Sequence, residues 1–436
     1  ADLYSFAPVT EITAEDIAVT GKASIGEILL ELPSQGSGLS RTYNNGGSGA
    51  VRIDMRHLGS GRNLILVDGR RWVNSGSGAN GSVDLNSIPS AMVERVEILR
   101  DGASAVYGSD AIAGVINIIT KDDYAGTSAT YQTGEYFDGG GQSEVMTFTV
   151  GESTGSGSYI AGVSVVDLMS LGNGERPETN AHPAVGSSGT PQGRFAYGDV
   201  GGATAGCSNW TVLEGTPGTN AATDFRCWVN GTGDDPETGG DRFNYNPYNY
   251  IETPSKRLNA FAKMTRDLET GQTVRLDFMY QKRDSDRLLA PMPLFYGFGS
   301  FGGREGIGAN QPYNPFGVEF CDLSNGSQNY ADCSAAPETV TTASGWFGRR
   351  MLETGNRLYT DDIETYRAMA SLDGSVMGFD YTAYFSKATN KALNTTDGLL
   401  DSGSIKLALA DDCGPNGNGT TCLNIFGGQG PDSAYI

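Results

Sequence analysis

From Gly126 onward the chain alternates apolar and polar residues with period two. The apolar positions run Thr127, Ala129, Tyr131; Met146, Phe148, Val150; Tyr159, Ala161, Val163, Val165; Leu258, Ala260, Ala262, Met264; Val274, Leu276, Phe278, Tyr280; Tyr366, Ala368, Ala370, Leu372; and Phe379, Tyr381, Ala383, Phe385. Mostly Ser, Thr, Asn, Asp, Lys and Arg stand between them. Successive side chains of a strand point to opposite sides, so each segment predicts a strand with one apolar face. The links between these strands alternate in length. Those at 152–158, 269–272 and 373–376 are tight, whereas those at 170–254, 284–356 and from 387 onward are very long. Only the link at 136–143 breaks the contrast.

Strands of roughly ten residues with one lipid-compatible face, joined by short turns at one end and long loops at the other, are the pattern of a transmembrane β-barrel. Lipid leaves no backbone edge unpaired, and seven strands do not close such a barrel. The expectation is therefore an incomplete barrel belonging to a longer chain, with the short turns periplasmic and the long loops at about 170–254, 284–356 and 387–436 extracellular.

Residues 1–122 carry a different pattern. Ser24 to Glu27 has the form of a capping box, and Ile25, Ile28, Leu29 and Leu32 follow at helical spacing until Pro33. Alternation at 51–55 predicts a strand, and 63–67 a buried one turned back by Asp68 and Gly69 into 70–73. A short helix is expected over 87–93, with Pro89 in its first turn. Two stretches, 35–50 and 74–82, are too rich in Gly, Ser and Asn to pack a core. The fold class is thus a small α/β domain at 1–122 followed by antiparallel barrel strands over 123–436.

The run VERVEILRDGASAVYGSDAIAGVINIITK, residues 93–121, joins the two patterns. It reads as a strand, a turn at Asp101 and Gly102, a small-residue helical turn ended by Gly108, and a second β-branched strand. This stretch resembles the signature closing the plug domain of TonB-dependent outer-membrane receptors. The resemblance implies a plug facing the periplasm inside a 22-stranded barrel of the Gram-negative outer membrane. It implies TonB and its inner-membrane energising complex as partners. The TonB-gripped motif would lie just upstream of residue 1 and is expected to be absent here.

Composition agrees with a barrel. No apolar run approaches the length of a membrane helix, and Ala1, Asp2 and Leu3 offer no leader, so a mature or trimmed chain is expected. The formal net charge of −21 disfavours a nucleic-acid partner. Cysteines 207, 227, 321, 333, 413 and 422 fall as three isolated pairs, each within one long link. Local disulfides Cys207 to Cys227, Cys321 to Cys333 and Cys413 to Cys422 would place them outside a reducing compartment; reduced thiols in each pair are the alternative. With only His57 and His182, a zinc site has few ligands, and no metal or cofactor is expected.

Several motifs suggest chemistry and lack its context. Gly151 to Gly155 matches G-x-S-x-G but lies between two amphipathic strands, where a nucleophile elbow needs a strand-to-helix turn. Gly76 to Gly81 matches G-x-G-x-x-G with no helix after it. Asp234, Asp235, Glu237 and Asp241 suit calcium chemically but fit no loop spacing, and a solvated acidic face is the simpler reading. The chain is expected not to be an enzyme.

The resemblance implies roles for two plug arginines. Arg56 and Arg100 stand where that family pairs plug arginines with barrel glutamates, here expected beyond Ile436; a salt bridge within the plug is the alternative. Ligand contacts are expected from the soft loops, at Arg41, Tyr43, Asn44, Asn45, Trp72, Asn74 and Asn80. The apolar run at 291–303 is expected to be exposed, meeting a substrate, an outer-membrane partner protein or neighbouring loops. The expected function is gated import of a scarce solute, with ferric siderophores and an adhesive or structural β-protein as alternatives. The link at 170–254 has ten acidic and four basic residues, which favours a saccharide or peptide over an anionic chelate.

Overall fold

The computed structural model describes residues 9–36, 38–75, 81–180, 186–213, 221–231, 240–298, 305–322 and 341–427. It divides into two compact units. The first comprises Ala1–Leu171, Tyr250–Arg287 and Tyr359–Thr395, and the second Gly172–Asn249, Leu288–Leu358 and Thr396–Ile436.

In the first unit, strands β1 (Val9–Thr13), β2 (Asn63–Val67), β3 (Arg70–Arg71), β4 (Val93–Leu99) and β5 (Gly114–Thr120) form a sheet ordered β1-β4-β5-β2-β3. β5 pairs antiparallel with β4 and parallel with β2. β2 is buried along its whole length and β5 along most of it, so both read as nearly continuous apolar runs, whereas β4 alternates. Asp68 and Gly69 turn β2 into β3 with φ of 48° and 72°, the left-handed pair a tight hairpin turn requires. At Gly114 (φ +145°) a Cβ would lie 2.6 Å from the Leu99 carbonyl oxygen, so β5 can start against β4 only with glycine there.

Helices α1 (Ala14–Val19) and α2 (Ile25–Leu29) are short. Thr13 caps α1 in a reciprocal box with Asp16, and Ser24 accepts from the Glu27 amide to cap α2. A third helical turn, α3 (Ser104–Tyr107), ends at Gly108. Two expectations fail locally. Residues 51–55 make only isolated bridges, Leu39 to Arg52 and Gln35 to Met55; the Asp54 carbonyl and carboxylate accept from the Gly36 and Gly59 amides instead of a partner strand. The helix expected over 87–93 is replaced by 3-10 turns Leu85–Ser87 and Ser90–Met92, since Pro89 supplies no amide to bridge them.

The same unit continues as β6 (Gly126–Gly134), β7 (Ser143–Thr154), β8 (Gly157–Leu168), β9 (Ser255–Asp267), β10 (Thr273–Leu289), β11 (Arg357–Val376) and β12 (Phe379–Asp397). They form a seven-stranded antiparallel meander in chain order. All seven strands were expected. β10 and β12 run further than the alternation alone suggests, so the links after them begin near 290 and 398 rather than at 284 and 387. The apolar faces point outward: Met146, Phe148, Val163, Val165, Leu258, Leu276 and Phe278 are each 40–52% exposed. The opposite face of β9, with Arg257, Asn259, Phe261 and Lys263, is buried. Ile160, Phe261 and Met279 interrupt the polar side of the alternation and join the core of the N-terminal domain with Ile25, Met55, Trp72, Val96 and Ile116.

The second unit has its own core, built from aromatic residues of all three long links: Phe195, Trp210, Phe225, Phe320, Phe347 and Phe426. Phe195 stacks on Trp210 with centroids 4.5 Å apart. Disulfides join Cys207 to Cys227 and Cys413 to Cys422; Cys333 lies outside the described residues. Of the contacts expected for the apolar run at 291–303, packing on neighbouring loops is the one its described part makes: Leu294 and Tyr296 enter this core, each 1% exposed. The strand Pro293–Tyr296 pairs there with Thr342–Arg350, and the aromatic core covers Leu294 and Tyr296. Residues 299–303 of that run lie outside the described residues.

Candidate functional site

Within the first unit, polar contacts tie the N-terminal domain to the polar face of the meander in three clusters. The outermost surrounds Arg41, in the first soft loop. Its guanidinium lies 3.1 Å from the Glu252 carboxylate and donates to the Met169 and Thr253 carbonyls, at 2.7 and 3.3 Å. The Thr253 amide and hydroxyl donate back to the Arg41 carbonyl at 2.9 and 3.0 Å. The Tyr136 hydroxyl also donates to Glu252. Burial, and then the neighbouring Glu252, pushes the Tyr136 phenol up to about 12. Lys22, Glu27, Arg41, Gln132, Tyr136 and Glu252 line a cavity of about 330 Å³.

The second cluster centres on Asp84, which follows the second soft loop. One carboxylate oxygen accepts from the Val51 and Asn86 amides, both at 3.0 Å, and the other lies 3.2 Å from Arg283 of β10. Arg283 also donates to the Ser48 carbonyl at 2.9 Å, Arg257 to the Asn86 side chain at 2.7 Å, and Gln281 to the Asn86 carbonyl at 3.2 Å. Asp84 and Arg283 are both buried. Each therefore depends on the other to offset the loss of water. Arg52, buried beside this cluster, is held below the usual guanidinium range by desolvation, with Asp84 opposing.

The third cluster is Lys263 of β9. Its ammonium lies 2.5 Å from Asp122 and 3.2 Å from Asp68, and donates to the Thr120 hydroxyl at 2.6 Å. Asp68 in turn accepts from the Thr120 amide and hydroxyl, at 2.9 and 2.6 Å. The turn after β2, the end of β5 and the chain leaving the domain thus meet one strand lysine. Two cation–π contacts add to these clusters: Arg367 lies 5.4 Å from the Trp72 ring centre and Arg70 lies 4.3 Å from that of Tyr384.

The expected pairing concerned Arg56 and Arg100 with glutamates beyond Ile436, and the attachments within this chain are others. Arg41 of the domain meets Glu252, while the two buried attachments have aspartates on the domain and Arg283 and Lys263 on the strands. The residues concerned were missed, although the alternation placed Arg257, Lys263, Gln281 and Arg283 on the polar side of their strands. Arg56 is exposed, with φ 58°, and donates to the Ile112 carbonyl at 2.9 Å. Arg100 is half-buried, and its Nε has no hydrogen-bond partner among the described residues.

The expected ligand contacts divide. Tyr43 is 51% exposed, and Asn45 and Asn74 are also exposed. Asn44 is buried. Trp72 is a core residue, 5% exposed, whose indole donates to the Ser87 hydroxyl at 2.8 Å. Asn80 lies outside the described residues. So do Asp234, Asp235 and Glu237, whereas Asp241 holds Arg226 and accepts from the Val229 amide at 2.7 Å. Ser153, the would-be nucleophile, lies within β7 opposite Ser158 of β8, where no helix follows to expose it. Among the described residues no group of three or more His, Cys, Asp or Glu side chains could hold a metal ion.

An outward-apolar antiparallel meander, folded against an α/β domain through its polar face, defines a plugged outer-membrane β-barrel protein. Residues 4–115 match the family model described as the TonB-dependent Receptor Plug Domain. Residues 4–115 are thus similar to the plug domain of TonB-dependent receptors, and seven antiparallel strands follow them. Solved structures similar to it include the ferric enterobactin receptor of Pseudomonas aeruginosa, at 18% identity over 89% of this chain and 50% of that one, with a TM-score of 0.41. The siderophore receptor PirA of the same organism matches at 16% identity over 90% of this chain and 53% of that one, with a TM-score of 0.37. The ferric preacinetobactin receptor of Acinetobacter baumannii matches at 10% identity over 92% and 49%, with a TM-score of 0.41. The chain spans about half the length of these structures.

Proposed function

We propose that the protein imports a scarce solute across the outer membrane, with plug displacement driven by TonB as the gate. The observation that carries this reading is the interface itself. The plug meets the strands through separable polar clusters as well as apolar packing, and polar contacts can be broken and remade without exposing a large apolar surface to water. Arg56 and Arg100 are proposed to complete the attachment through carboxylates of barrel strands outside this chain. Tyr43, Asn45 and Asn74, exposed on the soft loops, are proposed to meet the solute.

For the solute we carry forward a ferric siderophore. The similar structures named above are receptors for iron chelates, and the saccharide or peptide expected from the acidic link has no such support. A count of loop charges does not exclude an anionic chelate, because charge acts locally. In the second unit Arg194 of that link lies against Trp228 and, from the link at 284–356, Trp346, with centroids 5.2 and 5.1 Å away, a half-buried cationic and aromatic group. The test is uptake of radiolabelled iron as ferric enterobactin by cells expressing the full-length receptor, with and without a functional TonB. Accumulation that requires both is expected. Uptake of a labelled oligosaccharide or peptide with none of the iron chelate would overturn the siderophore reading, and uptake independent of TonB would overturn the gate.

A further inference from the structure

Lys263 faces a further carboxylate, to which it makes no hydrogen bond. In the register of β9 against β10 it stands directly opposite Asp277, so both side chains lie on the same, plug-facing side of the sheet. Both are buried, at 6% exposure each. The Asp277 Oδ1 is enclosed and has no hydrogen-bond partner among the described residues. Such a buried acceptor is costly as it stands, and a donor that reached it would remove the cost. The lysine across the pair reaches instead to Asp68, Thr120 and Asp122 of the plug.

We infer that Lys263 is a two-position latch: docked on the plug carboxylates in this structure, it turns to Asp277 when the plug moves away. The side chain is suited to this, being a compact charge on a flexible four-carbon stem. The exchange keeps the ammonium paired in both states, so plug departure does not strand a buried cation on the wall. Arg367 of β11 shares this electrostatic neighbourhood with Asp277 and Asp68, and it remains on the wall in either state. Asp84 and Arg283 form an independent attachment and serve as the internal control. The inference rests on the reading that the plug moves, but its test needs neither a solute nor TonB.

The experiment is a double-mutant cycle on the full-length receptor in lipid vesicles. Plug release is driven by urea and followed by hydrogen exchange of residues 114–122, with barrel integrity checked by its resistance to unfolding in detergent. Lys263→Met should lower the urea midpoint and speed exchange at 118–122 by about tenfold or more, while residues 49–51 change little; Lys263→Arg should retain most of the protection. Asp277→Asn should raise the midpoint, because the released state loses its lysine partner. In the double variant K263M/D277N that rise should vanish. A rise that persists without the lysine would show mere relief of repulsion between Asp277 and the plug carboxylates, and overturn the latch. A fall with D277N, or no shift, would overturn it equally. If Lys263→Met does not assemble, Lys263→Gln replaces it in the cycle.

Discussion

Asp84 stands between Val83 and Leu85 in a sequence that gives no hint of its burden. It receives two backbone amides and a buried arginine at once. Removing one member of a buried ion pair leaves the other charged and unsolvated, which costs about 3–5 kcal/mol. Asp84→Ala should therefore loosen plug docking by about that much, and Arg283→Met by a similar amount, measured as the urea dependence of plug release. The two together should cost clearly less than their sum, because the second change removes the stranded charge. At this scale the sequence showed which side of each strand is polar, and so that Arg257, Lys263 and Arg283 face inward. It could not show what they meet, since Ser48, Asp68 and Asp84 lie some 195 to 235 positions away in the chain. Trp72 was misplaced for a related reason: a tryptophan beside a soft loop looks available until the sheet that covers it is known.

Elements were legible where one local periodicity governed them. All seven barrel strands and the strand, turn, helical turn and strand of 93–120 could be read from spacing, because sidedness repeats every two residues and Gly108 and Gly114 mark the breaks. The second unit was not legible. Its strands are two to nine residues long, and its core is assembled from aromatic residues of three separate links, so no window of sequence contains the pattern. Helix α1 lies between these cases, with its start written in Thr13 and Asp16. The Asp16 carboxylate is lowered below the ordinary aspartate value first by the Thr13 amide and then by the Thr13 hydroxyl. Because its folded value is the depressed one, the stability it contributes is present above the unfolded value near 3.8 and is lost as pH falls through the folded value. Exchange protection of residues 16–19 should thus be flat near neutrality and decline in acid below that value. Asp16→Asn should remove the decline, and an unchanged acid profile in that variant would assign the effect elsewhere.

The whole molecule turns on where its apolar surface faces. Met146, Phe148, Val163, Val165, Leu258, Leu276 and Phe278 are exposed on one side of the meander, an area of apolar side chains that a water-soluble sheet would have to cover. On the other side Ile160, Phe261 and Met279 are buried against the plug, so the apolar exceptions to the alternation are explained by packing and the exposed band is not. If that band lies in lipid, the penalty for a charge on it depends on depth. Val163 lies midway along β8 (Gly157–Leu168) and Tyr159 near its start, both on the outward face. Val163→Arg should destabilise the full-length receptor, folded into lipid vesicles, by about 2–4 kcal/mol, whereas Tyr159→Arg, near the interface, should cost about 0–1 kcal/mol. The measurement is reversible folding in denaturant with each variant in the same vesicles. Equal costs at the two positions would mean that the outward face meets a uniform medium, protein or water, and the barrel reading would fail with it. The expected gradient would fix the depth of β8 in the bilayer, and with it the depth at which Lys263, paired in register with Ile160 of that strand, holds the plug.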